Sequence, residues 1–418
     1  MADLPDITSP DVYSAGAPHD RFRWLRRHAP VSFHPDEHDG HWALVRHADV
    51  VRASRQWEVF SSAWGSTLEE MTDDELAARR SLMDLDPPAH SRLRRLLGKG
   101  YTPRVVASYE TAFRTMTREL LTAALGRPGV IDLVEAVSKP LPALWLCRHL
   151  GLPDEMVAEL VRWSDHMLMG ASDPDHFEDR TDPQLRFAPF GSRAGAECVA
   201  YAARIAAERR ASPRDDVITQ VLYAEPGGEP LSDAEFRNFF SVLAIAGQEA
   251  SRHATTAGAL ALIDHPDQLD LLTDRPELID PAVEEILRWS TPIHHFRRTT
   301  TAPVEVGGVA IPDRARVTLW YISANFDEAV FEEPAAFDIA RSPNDHIAFG
   351  GGGPHYCLGA ALGRLQVKVT VSEMLPFLDR ITPAGAPVPL RSNLIHGMKR
   401  APIRIASAQT PTEPGPTR

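Results

Sequence analysis

The sequence is poor in cysteine, with only Cys147, Cys198 and Cys357 among 418 residues. So few cysteines in so long a chain argue against a disulfide framework and favour a reducing cytosol. The sequence also lacks any apolar run near the ~20 residues that span a bilayer. Its first residues carry neither the basic nor the apolar region of a secretion signal. We therefore expect a soluble, cytoplasmic protein without a membrane span.

Positive charge is also scarce, because 44 Lys and Arg residues stand against 57 Asp and Glu residues and give a formal net charge of −13. This balance argues against nucleic-acid binding by the chain as a whole, but it allows a local basic patch for an acidic protein partner. The Gly-x-Gly-x-x-Gly fingerprint of dinucleotide-binding folds is missing as well. A redox enzyme with this sequence would have to receive its electrons from another protein.

Hydrophobic residues make up 43% of the chain, which is enough for a substantial core. Helical periodicity dominates the middle of the sequence, and we expect a mainly helical fold with a small β region. The proline-rich residues 408–418 are expected to form a disordered tail behind a single domain at 1–407. Short β-like runs lie at 41–45, 304–306 and 316–320.

Cys357 is the most informative residue of the chain. It follows four consecutive glycines at 350–353 and precedes Gly359 and a helical pattern that begins at Ala360. Glycines allow tight turns and the close approach of a bulky flat group. The N-terminus of the following helix places backbone amides beside the sulfur, which favours a thiolate. A thiolate held in this way is a good axial ligand for haem iron, whereas the alternative is a buried structural thiol.

The run from Phe349 to Gly359 resembles the haem-binding signature of the cytochrome P-450 monooxygenases. Gly353, His355, Cys357 and Gly359 match the signature in register, whereas Phe349 lies one residue too far upstream. The same insertion of one glycine occurs in a branch of the family. The resemblance implies a cytochrome P-450 fold, a triangular helical prism with a long central helix. It also implies haem b (iron protoporphyrin IX), ligated by Cys357, and O2 as co-substrate.

The expected central helix begins with the capping box Ser232–Glu235 and runs towards Ile263. Within it, Ala246-Gly247-Gln248-Glu249 resembles the motif of the family's oxygen-binding helix, where Ala246 faces the cofactor and Gly247 precedes the acid. The next residue is normally a threonine that helps to deliver protons, and this chain has Ala250 instead.

Three explanations for the missing hydroxyl are open. A hydroxyl of the substrate, or water held by the substrate, fills the gap while Glu249 feeds protons. Alternatively, Ser251 substitutes through a π-bulge, since one residue otherwise turns it ~100° around the helix. The third explanation is chemistry that does not need efficient proton delivery.

The two haem propionates require cations that hydrogen-bond well. His90 and Arg94 lie four residues apart in a pattern that begins like a helix, so they share one helix face. The pair resembles the family's propionate clamp. The resemblance adds Arg298, with Arg297 as its rival, and His355. Adjacent His294 and His295 could suggest a metal site, but neighbouring side chains diverge, and we discard that interpretation.

Glu285 and Arg288 match the family's Glu-x-x-Arg pair, with a spacing that lets the charges meet on a helix. Such pairs are usually exposed and weak. The resemblance implies a buried pair that is linked to Arg341 and is needed structurally for haem incorporation rather than for catalysis.

The resemblance also implies an apolar substrate pocket with a few hydrogen-bonding groups. A core role explains Leu243 and Ile293 equally well when each is taken alone. Residues 165–192 are rich in Asp, Pro and Gly, and both a mobile lid and an ordinary surface insertion are open. The candidate pocket residues are Trp64, Leu243, Ile293, His294, Phe296, Leu394 and Ile395.

Electrons are expected from NAD(P)H through a separate reductase and a ferredoxin. Arg92, Arg95 and Lys99 are spaced along one face of the His90 helix and form a candidate docking patch, although a solvated basic face is equally consistent. We expect a monomer.

The resemblance, with details typical of actinobacterial branches that oxidise steroids, terpenoids and other natural products, predicts hydroxylation of a bulky lipophilic substrate such as a terpenoid, steroid or polyketide. The same oxidant could instead carry out epoxidation, desaturation or oxidative coupling. A haem-binding sensor or recruitment module without activity is the alternative of another class.

Overall fold

The computed structural model describes residues 4–36, 38–223 and 231–407. The tail predicted at 408–418 lies outside the described residues. About 53% of the chain is helical, with a small sheet region, which confirms the expected fold class. Within the described ranges, no helix combines the length and apolar character needed to cross a bilayer.

The helices are numbered in chain order, and several begin at residues that favour helix N-termini, such as the Thr102 cap before Pro103. Their bounds are α1 His19–His28, α2 His47–Arg55, α3 Asp73–Arg79, α4 Ala89–Leu97, α5 Pro103–Ser108, α6 Glu110–Leu125, α7 Pro140–His149, α8 Met156–Met169, α9 Arg193–Ala211, α10 Val217–Leu222, α11 Asp233–Ala246, α12 Glu249–Asp264, α13 Pro266–Asp274, α14 Ile279–Ser290, α15 Tyr321–Ala324 and α16 Ala360–Leu378.

The strands are also numbered in chain order. Their bounds are β1 Val31–His34, β2 His41–Leu44, β3 Phe60–Ser61, β4 Gly129–Asp132, β5 His295–Thr300, β6 Val304–Val306, β7 Val309–Ile311, β8 Arg316–Trp320, β9 Ile381–Pro383, β10 Val388–Pro389, β11 Met398–Arg400 and β12 Pro402–Ile405. The largest sheet among the described residues has five strands in the order β1-β2-β8-β5-β3, with β2 and β8 parallel and the other neighbours antiparallel. The three β-like runs of the sequence correspond to β2, β6 and β8, so those predictions are confirmed.

The helical core is built around α16, which packs against α6, α12 and α14. Its buried apolar side chains, including Val367 and Met374, join those of Leu262 and Ile286 in one cluster. Burial of apolar surface of this kind is the main stabilising contribution to folding. The packing fixes the start of α16, and therefore the loop before it, relative to α12.

The expected central helix is divided into two. The capping box Ser232–Glu235 forms as predicted at the start of α11. The helix then stops at Ala246 and resumes at Glu249, so the expectation of an unbroken helix to Ile263 is wrong. Gln248 stabilises the interruption, because its side-chain amide donates to the carbonyl oxygen of Leu160 in α8 over 2.9 Å.

The segment at 165–192 is mostly compact irregular structure. It continues α8 to Met169 and then forms 3-10 turns at Pro174–His176, Pro183–Phe187 and Pro189–Gly191. Arg180 holds the segment together by donating to the carbonyl oxygen of Phe190 over 2.8 Å.

Candidate functional site

Cys357 lies at the end of a glycine loop that folds back before α16. The backbone N–H of Cys357 donates to the carbonyl oxygen of Phe349 over 2.9 Å, which closes the loop. Gly353 has a φ of 74°. A Cβ atom there would lie 2.3 Å from the carbonyl oxygen of Ser54, so only glycine fits. The loop therefore presents the cysteine side chain just ahead of the first turn of α16.

Cys357 is an exposed residue, yet protein atoms lie around its thiol. Burial raises the pKa of the thiol, while the Gly359 N–H and the charges of Arg94 and Arg364 act in the opposite direction. The helix N-terminus alone does not outweigh burial, contrary to the sequence expectation. A cation bound to the sulfur would stabilise its deprotonated form.

Four basic residues gather beside this loop. The rings of His90 and His355 lie 4.5 Å apart, and His355 Nε2 is 3.1 Å from the Ser62 hydroxyl. Burial lowers the pKa of His90 to about 4 and, with the charge of Arg298, the pKa of His355 to about 2, so both rings are neutral near pH 7. His90 Nδ1 is buried without a hydrogen-bond partner.

Arg94 and Arg298 differ from the arginines around them. Neither has a carboxylate within ion-pair distance among the residues that the structure describes, whereas Arg297 pairs with Glu70 at 2.9 Å. Buried cations are normally paired. Two uncompensated guanidinium groups with an orphaned imidazole nitrogen suit a ligand with two carboxylates. The rival Arg297 is already occupied.

Glu249, at the start of α12, is buried in a charged network. Its carboxylate accepts hydrogen bonds from the Ser164 hydroxyl at 2.8 Å and from His253 Nε2 at 3.1 Å, and it pairs with Arg252 at 2.9 Å. Arg252 also binds Asp165 at 2.7 Å. Burial alone would raise the pKa of Glu249, but Arg252 and the hydrogen bonds outweigh it and lower the pKa to about 2.

Sequence reasoning missed the partners of Glu249. Arg252 and His253 lie three and four residues after Glu249, a spacing that places them on its helix face and could have revealed them. Ser164 and Asp165 come from α8, more than eighty residues away, and no local pattern signals such a contact.

The small residues at the helix interruption form its accessible side. Ala246 is exposed and Gly247 and Ala250 are half-buried, whereas Ala254 is fully buried in the core. Ser251 is also buried, and its hydroxyl donates to Gln366 Oε1 of α16. Since α12 is regularly helical from Glu249 onward, Ser251 is directed towards α16 rather than along the accessible side.

Glu285 of α14 is fully buried and binds two arginines. It pairs with Arg288 at 2.7 Å and with Arg341 at 3.1 Å, and it accepts a hydrogen bond from Asn344 at 3.1 Å. Arg288 in turn donates to the carbonyl oxygen of Asn325 at 2.9 Å. The expected contact between these three charged residues is present.

The predicted pocket residues fall into separate groups. Ile293 and Ile395 form a β-bridge, and the His294 N–H donates to the carbonyl oxygen of Leu394 over 2.8 Å, so these four residues lie together. His294 packs on Tyr13 and His396, whereas His295 packs on Trp320, which confirms that the two rings diverge.

The remaining predicted pocket residues lie elsewhere. Phe296 meets Tyr321 edge-on with ring centres 6.2 Å apart, and Leu243 belongs to the core cluster around Trp163. The Trp64 ring is covered by exposed Arg314 at 3.9 Å. The structure thus groups four of the seven residues directly.

The predicted docking face is altered in two ways. Arg92 pairs with Glu235 of α11, so its charge is already neutralised. Lys99 follows the end of α4 in a 3-10 turn, so it does not belong to the same helix as Arg92 and Arg95, contrary to the expectation. Arg95 is exposed on α4.

The comparisons with known proteins agree with this geometry. A family model described as Cytochrome P450 matches residues 268–392. The chain is 37% identical to a methyl-branched lipid omega-hydroxylase of Mycobacterium tuberculosis over 91% of this chain and 90% of that protein. The chain belongs to the cytochrome P450 family.

Two further similar proteins also match most of the chain. A steroid C26-monooxygenase of Mycolicibacterium smegmatis is 38% identical over 88% of this chain and 84% of its own length. The structure of a Mycobacterium marinum cytochrome P450 in complex with pseudoionone matches with a TM-score of 0.88 and 34% identity, over 97% of this chain and 99% of that one. Like its family, the protein is a haem-thiolate monooxygenase that uses haem b and O2.

Proposed function

We propose that this cytochrome P450 hydroxylates a C–H bond of a bulky lipophilic substrate of the terpenoid, steroid or polyketide type. The observation that carries the proposal is the exposed residue Cys357 beside two arginines that have no carboxylate partner among the described residues. The relatives support the substrate class, because two are named for lipid and steroid oxidation and one is bound to pseudoionone.

Cys357 would ligate the haem iron, and His90, Arg94, Arg298 and His355 would hold the propionates. When bound, haem with a thiolate ligand would activate O2, so that one oxygen atom enters a C–H bond and the other leaves as water with two protons and with two electrons from the redox partner. Phe349 packs within 3.3 Å of the position that a Cβ atom of Gly363 would take, which keeps the loop against α16. Gly359 leaves the space beside the sulfur open, because a Cβ atom there would lie 4.0 Å from Cys357 Sγ.

Proton delivery depends on the interruption between α11 and α12. Ala246 and Gly247 leave room for oxygen beside the helix, and Ala250 offers no hydroxyl. A substrate hydroxyl, or water held by the substrate, takes that role. Glu249, whose carboxyl group is deprotonated near pH 7, feeds protons by relaying them rather than by storing one. Two observations support proton delivery through the substrate rather than through Ser251. The Ser251 hydroxyl is engaged by Gln366, and α12 shows no bulge at that residue.

The substrate lies against Leu243, Ile293, His294, Phe296, Leu394 and Ile395, with Trp64 further out. Electrons come from a ferredoxin, with Arg95 as the docking residue that the described part of the chain leaves unpaired. Glu285, Arg288 and Arg341 form a structural unit that supports haem incorporation, and residues 1–407 act as one catalytic domain.

The test of the iron–sulfur bond is a carbon monoxide difference spectrum of the dithionite-reduced protein. We expect the band that gives the family its name, and its loss in Cys357→His. A wild-type protein that binds haem but shows no such band would refute the assignment. Product analysis with surrogate redox partners then separates hydroxylation from epoxidation, desaturation and oxidative coupling, and substrate-dependent oxygen consumption separates all of these from a silent sensor.

A further inference from the structure

A cavity of about 60 Å³ lies between residues 66–84, 189–190 and 238–242. Val242 lies one helical turn before Ala246, so α11 connects this cavity to the helix interruption. The cavity is lined by Ser66, Thr67, Met71, Leu76, Arg79, Ser81, Met83, Asp84, Pro189, Phe190, Asn238, Ser241 and Val242.

Arg79 is the only positively charged side chain among the described residues that line this cavity. Its side chain is only 9% exposed, and both of its terminal nitrogens donate to the Glu69 carboxylate, at 2.7 and 2.6 Å. This bidentate contact is the usual way in which a guanidinium group binds a carboxylate. Glu69 therefore occupies the position that a carboxylate of a ligand would need.

Two further polar side chains that line the cavity are also hydrogen-bonded within the protein. The Asn238 side-chain amide donates to the carbonyl oxygens of Ala78 at 3.0 Å and Arg80 at 2.9 Å. The Ser241 hydroxyl donates to the carbonyl oxygen of Arg237 at 3.0 Å. Such groups offer little to a charged ligand, since burying a charge is unfavourable unless it gains a partner.

Charge across the cavity is balanced rather than positive. Asp84 accepts hydrogen bonds from Ser66 at 2.9 Å and Ser81 at 2.8 Å, and burial raises the pKa of its carboxyl group. The nearby Arg186 is paired with Glu75 at 2.5 Å. A ligand carboxylate would therefore meet no uncompensated cation on this side of the pocket.

We propose that the pocket binds neutral lipophilic substrates more tightly than carboxylates of the same hydrocarbon chain length, and that Glu69 determines this specificity by neutralising Arg79. This proposal rests on the proposed function. Removal of the Glu69 charge would free the guanidinium group for an acid. Gly191 lies next to this pair, because a Cβ atom at that position would be 3.5 Å from Glu69 Oε1.

The test uses the haem-loaded protein and the absorption shift that ligands cause, with hexadecan-1-ol and hexadecanoic acid as a chain-matched pair. We expect the wild type to bind the alcohol more tightly. In Glu69→Gln, the acid should gain about ten-fold in affinity while the alcohol changes by less than about two-fold, since a free guanidinium group pairs with carboxylates. Adding Arg79→Met to that variant should abolish the gain.

The outcomes separate the two proposals. Unchanged acid affinity in Glu69→Gln, with an intact carbon monoxide band, would overturn the specificity proposal alone. Wild-type binding of the acid at least as tight as that of the alcohol would overturn it too. Loss of the carbon monoxide band in the wild type would instead remove the proposed function.

Discussion

Ala250 is central to the proposed route by which protons reach oxygen. The family resemblance implies a threonine hydroxyl at that position, and the adjacent Ser251 hydroxyl is engaged by Gln366. General acid–base groups typically contribute ~10²–10⁴-fold to a rate, so the missing hydroxyl must be supplied by something else. A substrate that carries its own hydroxyl meets this need.

We therefore expect Ser251→Ala to keep product formed per NAD(P)H consumed within about two-fold of the wild type, because proton transfer by this residue would otherwise contribute ~10²-fold or more. Ala250→Thr should raise this ratio for substrates without a hydroxyl and leave it unchanged for substrates that carry one. The measurement is product and NAD(P)H quantified in the same reaction. Loss of coupling in Ser251→Ala would show that the serine is the relay.

Replacement of Glu285 tests the role of the buried charged residues around it. Glu285→Gln leaves Arg288 and Arg341 buried without a countercharge, which should cost about 3–5 kcal/mol. We expect a lower Tm and a lower ratio of haem to protein absorbance. The control is Glu277→Gln, whose exposed pair with Arg275 should contribute only ~0–1 kcal/mol. Equal effects of the two changes would contradict a structural role for the buried triad.

At the scale of elements, α14 and α16 are joined by a charged contact beside the cysteine loop. Arg364 donates to both oxygens of Glu284, at 2.6 and 2.9 Å, and His346 Nε2 lies 2.9 Å from the same carboxylate. The Arg364 guanidinium also lies 4.5 Å from the centre of the Phe349 ring. This contact fixes the start of the loop on the helix that follows it.

The contact predicts a pH dependence of stability. Burial alone would raise the pKa of Glu284, but His346 and Arg364 outweigh it and lower the pKa from 4.5 to about 2. A carboxyl group with a lowered folded-state pKa stabilises the protein above pH 4.5, and the contribution is lost as the pH falls towards 2.

Thermal unfolding measured between pH 7 and pH 3 tests this contact. The wild-type Tm should fall below about pH 5, and Glu284→Gln should have a lower Tm at pH 7 with a flatter decline, since the titrating group is gone. Exposed Glu119, changed to Gln, is the control and should leave the profile as it is. A profile of Glu284→Gln parallel to the wild type would argue against the contact as the titrating group.

The interruption between α11 and α12 shows where local sequence rules stop. The capping box Ser232–Glu235 was predictable because it depends on residues three apart. The interruption was not, because it depends on the contact of Gln248 with Leu160 in another helix. The same distinction applies to α4, whose His90 and Arg94 were placed correctly, whereas Arg92 is removed from the docking face by Glu235 of α11.

At the scale of the whole molecule, net charge bears on the proposed docking of a ferredoxin. The chain is acidic overall, with a formal net charge of −13, so an acidic partner would require a local basic site. Arg95 is the exposed residue of the predicted patch whose charge no described carboxylate compensates.

Arg95→Glu should therefore slow reduction of the haem by ferredoxin about ten-fold at ~0.01 M salt, with a smaller difference at ~0.5 M salt, because the Debye length falls from ~30 Å at 0.01 M to less than ~10 Å at 0.5 M. Stopped-flow reduction kinetics give the rates. Arg404→Glu, an equal charge change on exposed β12, is the control. Equal slowing by both variants would assign the effect to net charge rather than to docking at α4.

The amino-acid sequence by itself determined the cysteine loop, the order of the family motifs and the mainly helical composition, because each depends on residue types at short and fixed spacings. Only the tertiary structure decided that Arg298 rather than Arg297 is free, that Ser251 is held by Gln366, and that Glu69 neutralises Arg79. Those outcomes depend on which side chains from distant segments meet. Since a charge or a hydroxyl proton that is already paired within the protein is less available to a ligand, its partner in the folded chain determines what it can bind.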